Sequence, residues 1–253
     1  LKEAIRNFIL IVVERKLRGH LNKHNTMMIN FQYLTVLQDL LKGHVKSYLD
    51  ELTDSCVAWN SLPIDRAIED PNIKDLFDTY KKEFVDKGII HNGHLRNFEE
   101  ILKNLKLIET IDLITVHFKS NDRLNYDAHV DGKNVIAIGG FSLSRGLTLE
   151  GLSVSFLDRN TKNSDTLLQM GRWFGYRDGY EELFRVYVPK ILHILFRQFS
   201  FTIERAREKF GDLSEQERRP ADYAFEVPCF KGWNLTAKTK SKDMSTIQEP
   251  YSY

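Results

Sequence analysis

The sequence predicts an α/β fold in which a mainly parallel sheet is covered by helices on both faces. Five short runs are almost continuously apolar, as expected for strands that are buried on both sides. These runs alternate with longer segments in which apolar residues recur at helical spacing. Such alternation is typical of parallel sheets whose strands are joined by helices.

The predicted helices and strands follow one another along the chain. Helical spacing of apolar residues predicts helices at residues 1–21, 33–52, 164–173 and 191–210. Short apolar or β-rich runs predict strands at residues 26–31, 113–118, 135–138, 152–157 and 183–188. Asn163 or Ser164 is a suitable N-cap for the helix at residues 164–173, and Pro189 ends the last strand.

The chain is predicted to form a single domain with two additions. The core covers about residues 1–52 and 108–212. Residues 53–107 are charged, helical in pattern and interrupted by turn signals, which predicts a helical insertion. Residues 213–253 are polar and basic and form the predicted C-terminal extension.

Composition limits the class of protein. Of the 253 residues, 42% are hydrophobic and 28% are charged, and the net charge is +1. No apolar run is long enough to span a bilayer, so no membrane partner is expected. Cys56 and Cys229 lie far apart and match no metal spacing, which indicates a reducing, cytoplasmic setting. Because the chain starts at Leu1 and not at methionine, we expect a piece of a longer protein.

The first candidate site follows the predicted strand at residues 135–138. Gly139 and Gly140 allow a sharp turn and a close approach of a ligand to the backbone. Ligands of open α/β sheets bind at the carboxyl ends of the strands, where Ser142, Ser144 and Thr148 could donate hydroxyl groups to phosphate. The alternative is an ordinary connection between a strand and a turn.

The second candidate site follows the predicted helix at residues 164–173. Arg172 and Arg177 lie close together near Gly171 and Gly175, which suits planar recognition of phosphate. An arginine placed on a transferring phosphoryl group stabilises the transition state. The alternative is a solvated helix end whose arginines pair with nearby acidic residues.

Together the two sites resemble the second RecA-like lobe of superfamily 2 helicases and translocases. Residues 144–152, SRGLTLEGL, are similar to the fifth motif of that superfamily, and residues 169–177, QMGRWFGYR, to the sixth. Residues 26–31 stand where the strand of the fourth motif is expected. Both runs resemble more closely the Z-one (Z1) domain family, as do residues 24–27 and 235–237, and only residues 53–107 fall outside the resemblance. That family is linked to bacterial defence and carries a suggested endonuclease function.

The resemblance implies a RecA-like three-layer α/β/α architecture and a C-terminal helicase lobe. It implies a catalytic arginine finger at Arg172 or Arg177. Cofactor-binding residues would be Gly146, Thr148, Glu150, Gln169 and Gly171. Nucleic-acid-binding residues would be Ser142, Ser144 and Arg145, joined by the basic residues Lys238 and Lys240 of the tail.

The sixth-motif resemblance departs from the usual spacing. Gln169 is two residues before Gly171 and not three. Gly175 stands three residues after Arg172, where the second arginine is expected, and Arg177 follows two residues later. Either arginine could therefore be the finger.

The motifs that are missing from the sequence limit what the chain could do by itself. There is no GxxxxGK[ST] phosphate loop and no Asp-Glu pair after a buried strand. ATP and Mg²⁺ are therefore expected to be shared with an N-terminal RecA-like lobe of the same protein, with nucleic acid, most simply DNA, as the other partner. This chain alone is expected to bind no cofactor and to hydrolyse ATP poorly.

Two other functions remain open at this point. One is a non-catalytic module that binds nucleic acid or protein. The other is a metal-dependent endonuclease, although Asp112, Asp122 and Asp127 form no convincing carboxylate set and no metal site is predicted. The histidine pairs, His20 with His24 and His91 with His94, lack a third ligand at a recognisable spacing.

Overall fold

The computed structural model describes residues 1–20, 22–31, 34–91, 94–117, 124–140, 143, 148–158, 164–171, 175 and 177–215. The chain divides into two compact units. The first contains Leu1–Arg159 and Gly175–Val188, and the second contains Asn160–Phe174 and Pro189–Tyr253. The sheet and most of the helices lie in the first unit.

The centre of the first unit is a sheet of five parallel strands. In chain order the described strands are β1 (Asn25–Asn30), β2 (Ile90–His91), β3 (His94–Leu95), β4 (Ile111–Val116), β5 (Asn134–Gly139), β6 (Leu152–Leu157) and β7 (Arg185–Tyr187). The order across the sheet is β4-β5-β1-β6-β7, so β1 is the central strand. Strands β2 and β3 form a separate antiparallel hairpin.

The described helices are α1 (Lys2–Leu17), α2 (Thr35–Trp59), α3 (Ile64–Ala67), α4 (Pro71–Tyr80), α5 (Phe98–Asn104), α6 (Ser164–Gly171) and α7 (Lys190–Glu215). A π-helical turn at Lys81–Val85 follows α4, and 3₁₀ turns lie at Leu105–Thr110 and Glu181–Leu183. Helix α1 packs against β1 and β6, and helix α2 packs against β4 and β5. Among the described helices, none has both the length and the apolar character needed to cross a bilayer.

One hydrophobic core joins α1 to the sheet. Phe8 and Ile9 of α1 contact the same cluster as Ile29 of β1 and Val154 of β6, and all four are buried. Burying side chains of this size stabilises the fold by about 1.5–3 kcal/mol each. Met28, on the opposite face of β1, is also fully buried. Burial of both faces explains why this strand is apolar without alternation.

The predicted fold class is confirmed: the chain is an α/β protein with a parallel sheet flanked by helices, consistent with a RecA-like three-layer architecture. Strand β6 has the predicted bounds, whereas α1 ends at Leu17 and not near residue 21. It ends there because Gly19 adopts a φ of +85°, which breaks the helix.

Residues 53–107, predicted as an insertion, pack in the same unit as α1. Ile73 of α4 and Phe98 of α5 belong to the core cluster that contains Phe8. This segment also includes the β2–β3 hairpin and the last part of α2. The division into core, insertion and extension stays a prediction.

Candidate functional site

The run that begins at Gly139 and ends at Gly151 connects opposite edges of the sheet. It leaves β5 at the carboxyl end of that strand and enters β6 at the amino end. Because both strands are parallel to β1, these two ends lie at opposite edges of the sheet. A Cβ at Gly139 would lie 2.8 Å from the carbonyl oxygen of Val116, so no larger residue fits there. The run therefore starts at the carboxyl edge, where ligands of open α/β sheets bind, and ends at the amino edge.

At the carboxyl edge, Asn30 holds the start of this run. Its Nδ2 donates to the carbonyl oxygen of Gly140 at 3.2 Å. Its own carbonyl oxygen accepts from the backbone amide of Asp158, which follows β6, at 3.0 Å. Asn30 is fully buried, so its bond to Gly140 fixes where the chain leaves β5. Ser142 and Ser144 follow this anchor in sequence but lie outside the described residues.

At the amino edge, the end of the run is pressed against the start of β1. Gly151 has a φ of +63°, and a Cβ there would overlap the carbonyl oxygen of His24. The backbone amide of Thr26 donates to the carbonyl oxygen of Gly151 at 3.0 Å. The hydroxyl of Thr26 donates to the carbonyl oxygen of Glu150 at 2.6 Å. The backbone of Glu150 is thus fixed while its side chain remains 48% exposed.

Glu150 faces His24 at this edge. The Oε2 of Glu150 lies 3.6 Å from the Nε2 of His24. The Nδ1 of His24 accepts from the backbone amide of Lys133 at 3.1 Å. In the neutral imidazole the proton is therefore on Nε2, which faces the carboxylate. The pair presents a hydrogen-bond donor beside an anion at the surface.

Tyr126 supports the imidazole of His24 from one side. The two ring centroids are 4.7 Å apart, and the hydroxyl of Tyr126 lies 2.7 Å from that of Thr26. Burial raises the pKa of Tyr126 to about 12, so the phenol stays protonated at neutral pH. Tyr126 therefore acts as a neutral partner and not as a base.

Arg177 lies at the same amino edge. Its Nε donates to the carbonyl oxygen of Leu152, the first residue of β6, at 3.1 Å. Its guanidinium carbon is 5.5 Å from the ring centroid of Phe184, and its own carbonyl oxygen accepts from the amide of Tyr180 at 3.1 Å. Part of the Arg177 side chain therefore stabilises the fold of this chain.

Two of the predicted site residues lie beside the same end of one strand. Glu150 and Arg177 come from different motifs, yet both lie at the start of β6. Thr148, which is exposed, precedes Glu150 on the same run. Gln169 and Gly171 belong to α6 in the second unit, where Gln169 is exposed. Seven predicted residues lie outside the described residues: Ser142, Ser144, Arg145, Gly146, Arg172, and the tail pair Lys238 and Lys240.

Three residues of this edge carry no functional signal of their own in the sequence: His24, Tyr126 and Arg15. His24 stands out only through its spacing from His20, although residues 24–27 carry part of the family resemblance. Tyr126 has no motif, and Arg15 looks like an exposed charge on a helix. Within the described residues, no group of three or more His, Cys, Asp and Glu side chains could hold a metal ion.

The fold is that of an α/β protein in which Glu150 and Arg177 lie near the amino end of β6. The model of the Z1 domain family matches residues 1–230, and the chain therefore belongs to the Z1 domain family. No curated protein and no solved structure matches the chain.

Proposed function

We propose that the chain is the C-terminal motor lobe of an ATP-dependent DNA translocase with a role in bacterial defence. The observation that carries the proposal is that Glu150, which faces His24, and Arg177, which donates to Leu152, both lie beside the amino end of β6. In sequence these residues belong to separate runs that resemble the fifth and sixth helicase motifs. Their common position supports one shared nucleotide-facing edge.

Arg172 is proposed as the arginine finger, and Arg177 as a residue that holds the finger's segment. The Nε of Arg177 already donates to Leu152, and its guanidinium lies near the ring of Phe184. A finger must reach across to a phosphate of the other lobe, which would require Arg177 to give up these contacts. Arg172 is the other arginine of the motif and would supply the positive charge.

The ATP–Mg²⁺ complex is assigned mainly to the preceding lobe. The sequence has no phosphate loop, and the described residues include no carboxylate cluster for a divalent cation. The exposed Glu150 at the amino edge is paired with His24, which does not form a magnesium site by itself. This chain would contribute the charge of Arg172 and the polar edge near Glu150.

DNA would contact the opposite edge and the basic tail. Ser142, Ser144 and Arg145 follow the carboxyl end of β5, where Asn30 anchors the backbone. Lys238 and Lys240 would add contacts to the phosphate backbone. Because one run borders both edges, a change of nucleotide state at Glu150 would shift the population of DNA-gripping states.

The test measures DNA-stimulated ATP hydrolysis by the full-length protein and three variants. Arg172→Ala should lower turnover on the order of 10³-fold, as expected for loss of a finger. Arg177→Ala should lower it by about tenfold through loss of positioning. Arg197→Ala, an exposed arginine of α7, is the matched control and should leave turnover unchanged.

Each alternative function has its own outcome in the same experiment. Turnover of Arg172→Ala within about tenfold of wild type would refute the finger assignment. DNA binding without any ATP hydrolysis by the wild-type protein would replace the motor with a binding module. Magnesium-dependent cutting of plasmid DNA by this chain alone would favour the endonuclease.

A further inference from the structure

Arg15 is a buried cation at the amino edge of the sheet. It lies near the end of α1 and is only 3% exposed. One terminal nitrogen, Nη1, donates to the carbonyl oxygen of His24 at 2.8 Å, to Oδ1 of Asn25 at 2.5 Å and to the carbonyl oxygen of Gly151 at 3.4 Å. Its guanidinium carbon lies 3.9 Å from the ring centroid of Tyr180.

The burial of Arg15 is energetically unfavourable without a counter-ion. Within the described residues, Arg15 forms no ion pair with a carboxylate, and its Nε is buried without a hydrogen-bond partner. Burial is the largest influence on the pKa of the Arg15 guanidinium, and it lowers that pKa. Burying a charge that lacks a partner of opposite sign costs several kcal/mol. Hydrogen bonds to three oxygen atoms and the ring of Tyr180 offset part of this cost, and an apolar side chain would leave those oxygens without this donor.

Those contacts join the end of the fifth-motif run to the turn that follows Arg177. Gly151 is the residue after Glu150, and its carbonyl oxygen accepts from Arg15. Tyr180, whose ring lies against Arg15, donates its backbone amide to the carbonyl oxygen of Arg177. A single guanidinium therefore contacts both the end of the fifth-motif run and the turn that follows the sixth-motif run.

We propose that Arg15 is a positioning residue that fixes Glu150 relative to Arg177 at the nucleotide-facing edge. The effect of Arg15 on catalysis rests on the proposed function, whereas its contacts with both runs are a property of this fold. Neither run can move away from β1 without losing a contact to the same side chain. A misplacement of about 1 Å in such a site can cost on the order of 10²-fold in rate.

The test is hydrogen–deuterium exchange of the two runs in an Arg15→Lys variant. Lysine keeps the charge but loses the planar group that packs on Tyr180 and reaches three acceptors. Exchange in peptides covering residues 148–153 and 177–183 should rise by about tenfold or more in both. The matched control is Arg6→Lys: Arg6 is on the same helix, with bonds to Thr79, Tyr48 and Asp75, and should leave both peptides at wild-type rates.

Two results would overturn the inference. The first is exchange at wild-type rates in either run of Arg15→Lys. The second is an equal rise in α5, because that would indicate general destabilisation. Tyr180→Leu gives a second route to the same answer: it removes the ring and should loosen both runs while Arg15 is retained.

ATP hydrolysis separates this inference from the proposed function. In the full-length protein, Arg15→Lys should lower kcat by about 10- to 100-fold and leave DNA affinity unchanged. A wild-type protein without ATPase activity would refute the motor proposal, while the exchange result would still decide the role of Arg15. If Arg15→Lys hydrolyses ATP at the wild-type rate and both runs exchange at wild-type rates, only the positioning role is refuted.

Discussion

Replacing Gly151 with alanine should strongly destabilise the first unit of the fold. Gly151 precedes β6 directly and has a φ of +63°, a conformation that alanine rarely adopts. An added Cβ would overlap the carbonyl group of His24 and lie 3.1 Å from the backbone nitrogen of Asn25. Both obstacles are backbone atoms at the start of β1, which cannot rotate away.

The structure allows the size of the effect to be worked out. The left-handed conformation costs a residue with a Cβ about 1–2 kcal/mol. Relief of the overlap would move the chain away from β1 and weaken the bonds from Thr26 and Arg15 to the carbonyl oxygen of Gly151. Each bond contributes about 1 kcal/mol. The free energy of unfolding should therefore fall by about 3–4 kcal/mol, a large share of a typical 5–15 kcal/mol.

Urea denaturation followed by circular dichroism measures this loss. With a slope of about 2–3 kcal/mol per molar urea, the midpoint should fall by about 1 M or more. Gly43→Ala is the matched control, because Gly43 lies in α2 with no atom within 4 Å of an added Cβ. It should stabilise the helix by up to about 1 kcal/mol. Equal midpoints for Gly151→Ala and wild type would refute the account of this edge.

Two further predictions concern buried groups away from the edge. Burial alone would raise the pKa of Glu83, but hydrogen bonds and charges from Lys87 and Arg185 outweigh it, and its pKa is lowered. Its stabilising effect is therefore complete above the pKa of an unfolded glutamate, about 4.3, and is lost as pH falls through the lower folded value. The melting temperature of Glu83→Gln should accordingly depend less on pH below about pH 5 than that of wild type, and equal slopes would contradict this. Burial raises the pKa of the Cys56 thiol to about 12, so mass spectrometry should find Cys56 unalkylated by iodoacetamide at pH 8 in the folded protein and alkylated in urea. Rapid alkylation without urea would show that this site opens.

The sequence was sufficient for the sheet because its strands carry their own signals. Strand β6 is an apolar run bounded by Gly151 and Asp158, and its predicted bounds are those observed. Strand β4 begins at Ile111, two residues before the predicted start, because the polar Asp112 interrupts the apolar pattern. Local composition therefore located the five strands of the sheet with ends that differ by up to two residues, whereas the two-residue strands β2 and β3 carry no such signal.

The polar edge could not be predicted in the same way, because its contacts depend on strand register. His24 meets Glu150 only because Thr26 of β1 pairs with Leu152 of β6. Arg15 looks like a solvent-exposed charge near a helix end, and its burial follows from how α1 packs on the sheet. The motifs indicate which runs border the edge, and tertiary packing determines which side chains meet there.

The most direct test of the motor proposal is the DNA-stimulated ATPase rate of the full-length protein with and without the Arg172 side chain. The account predicts a fall on the order of 10³-fold in Arg172→Ala, with normal DNA binding. A rate within about tenfold of wild type, or no ATP hydrolysis by the wild-type protein, would contradict it.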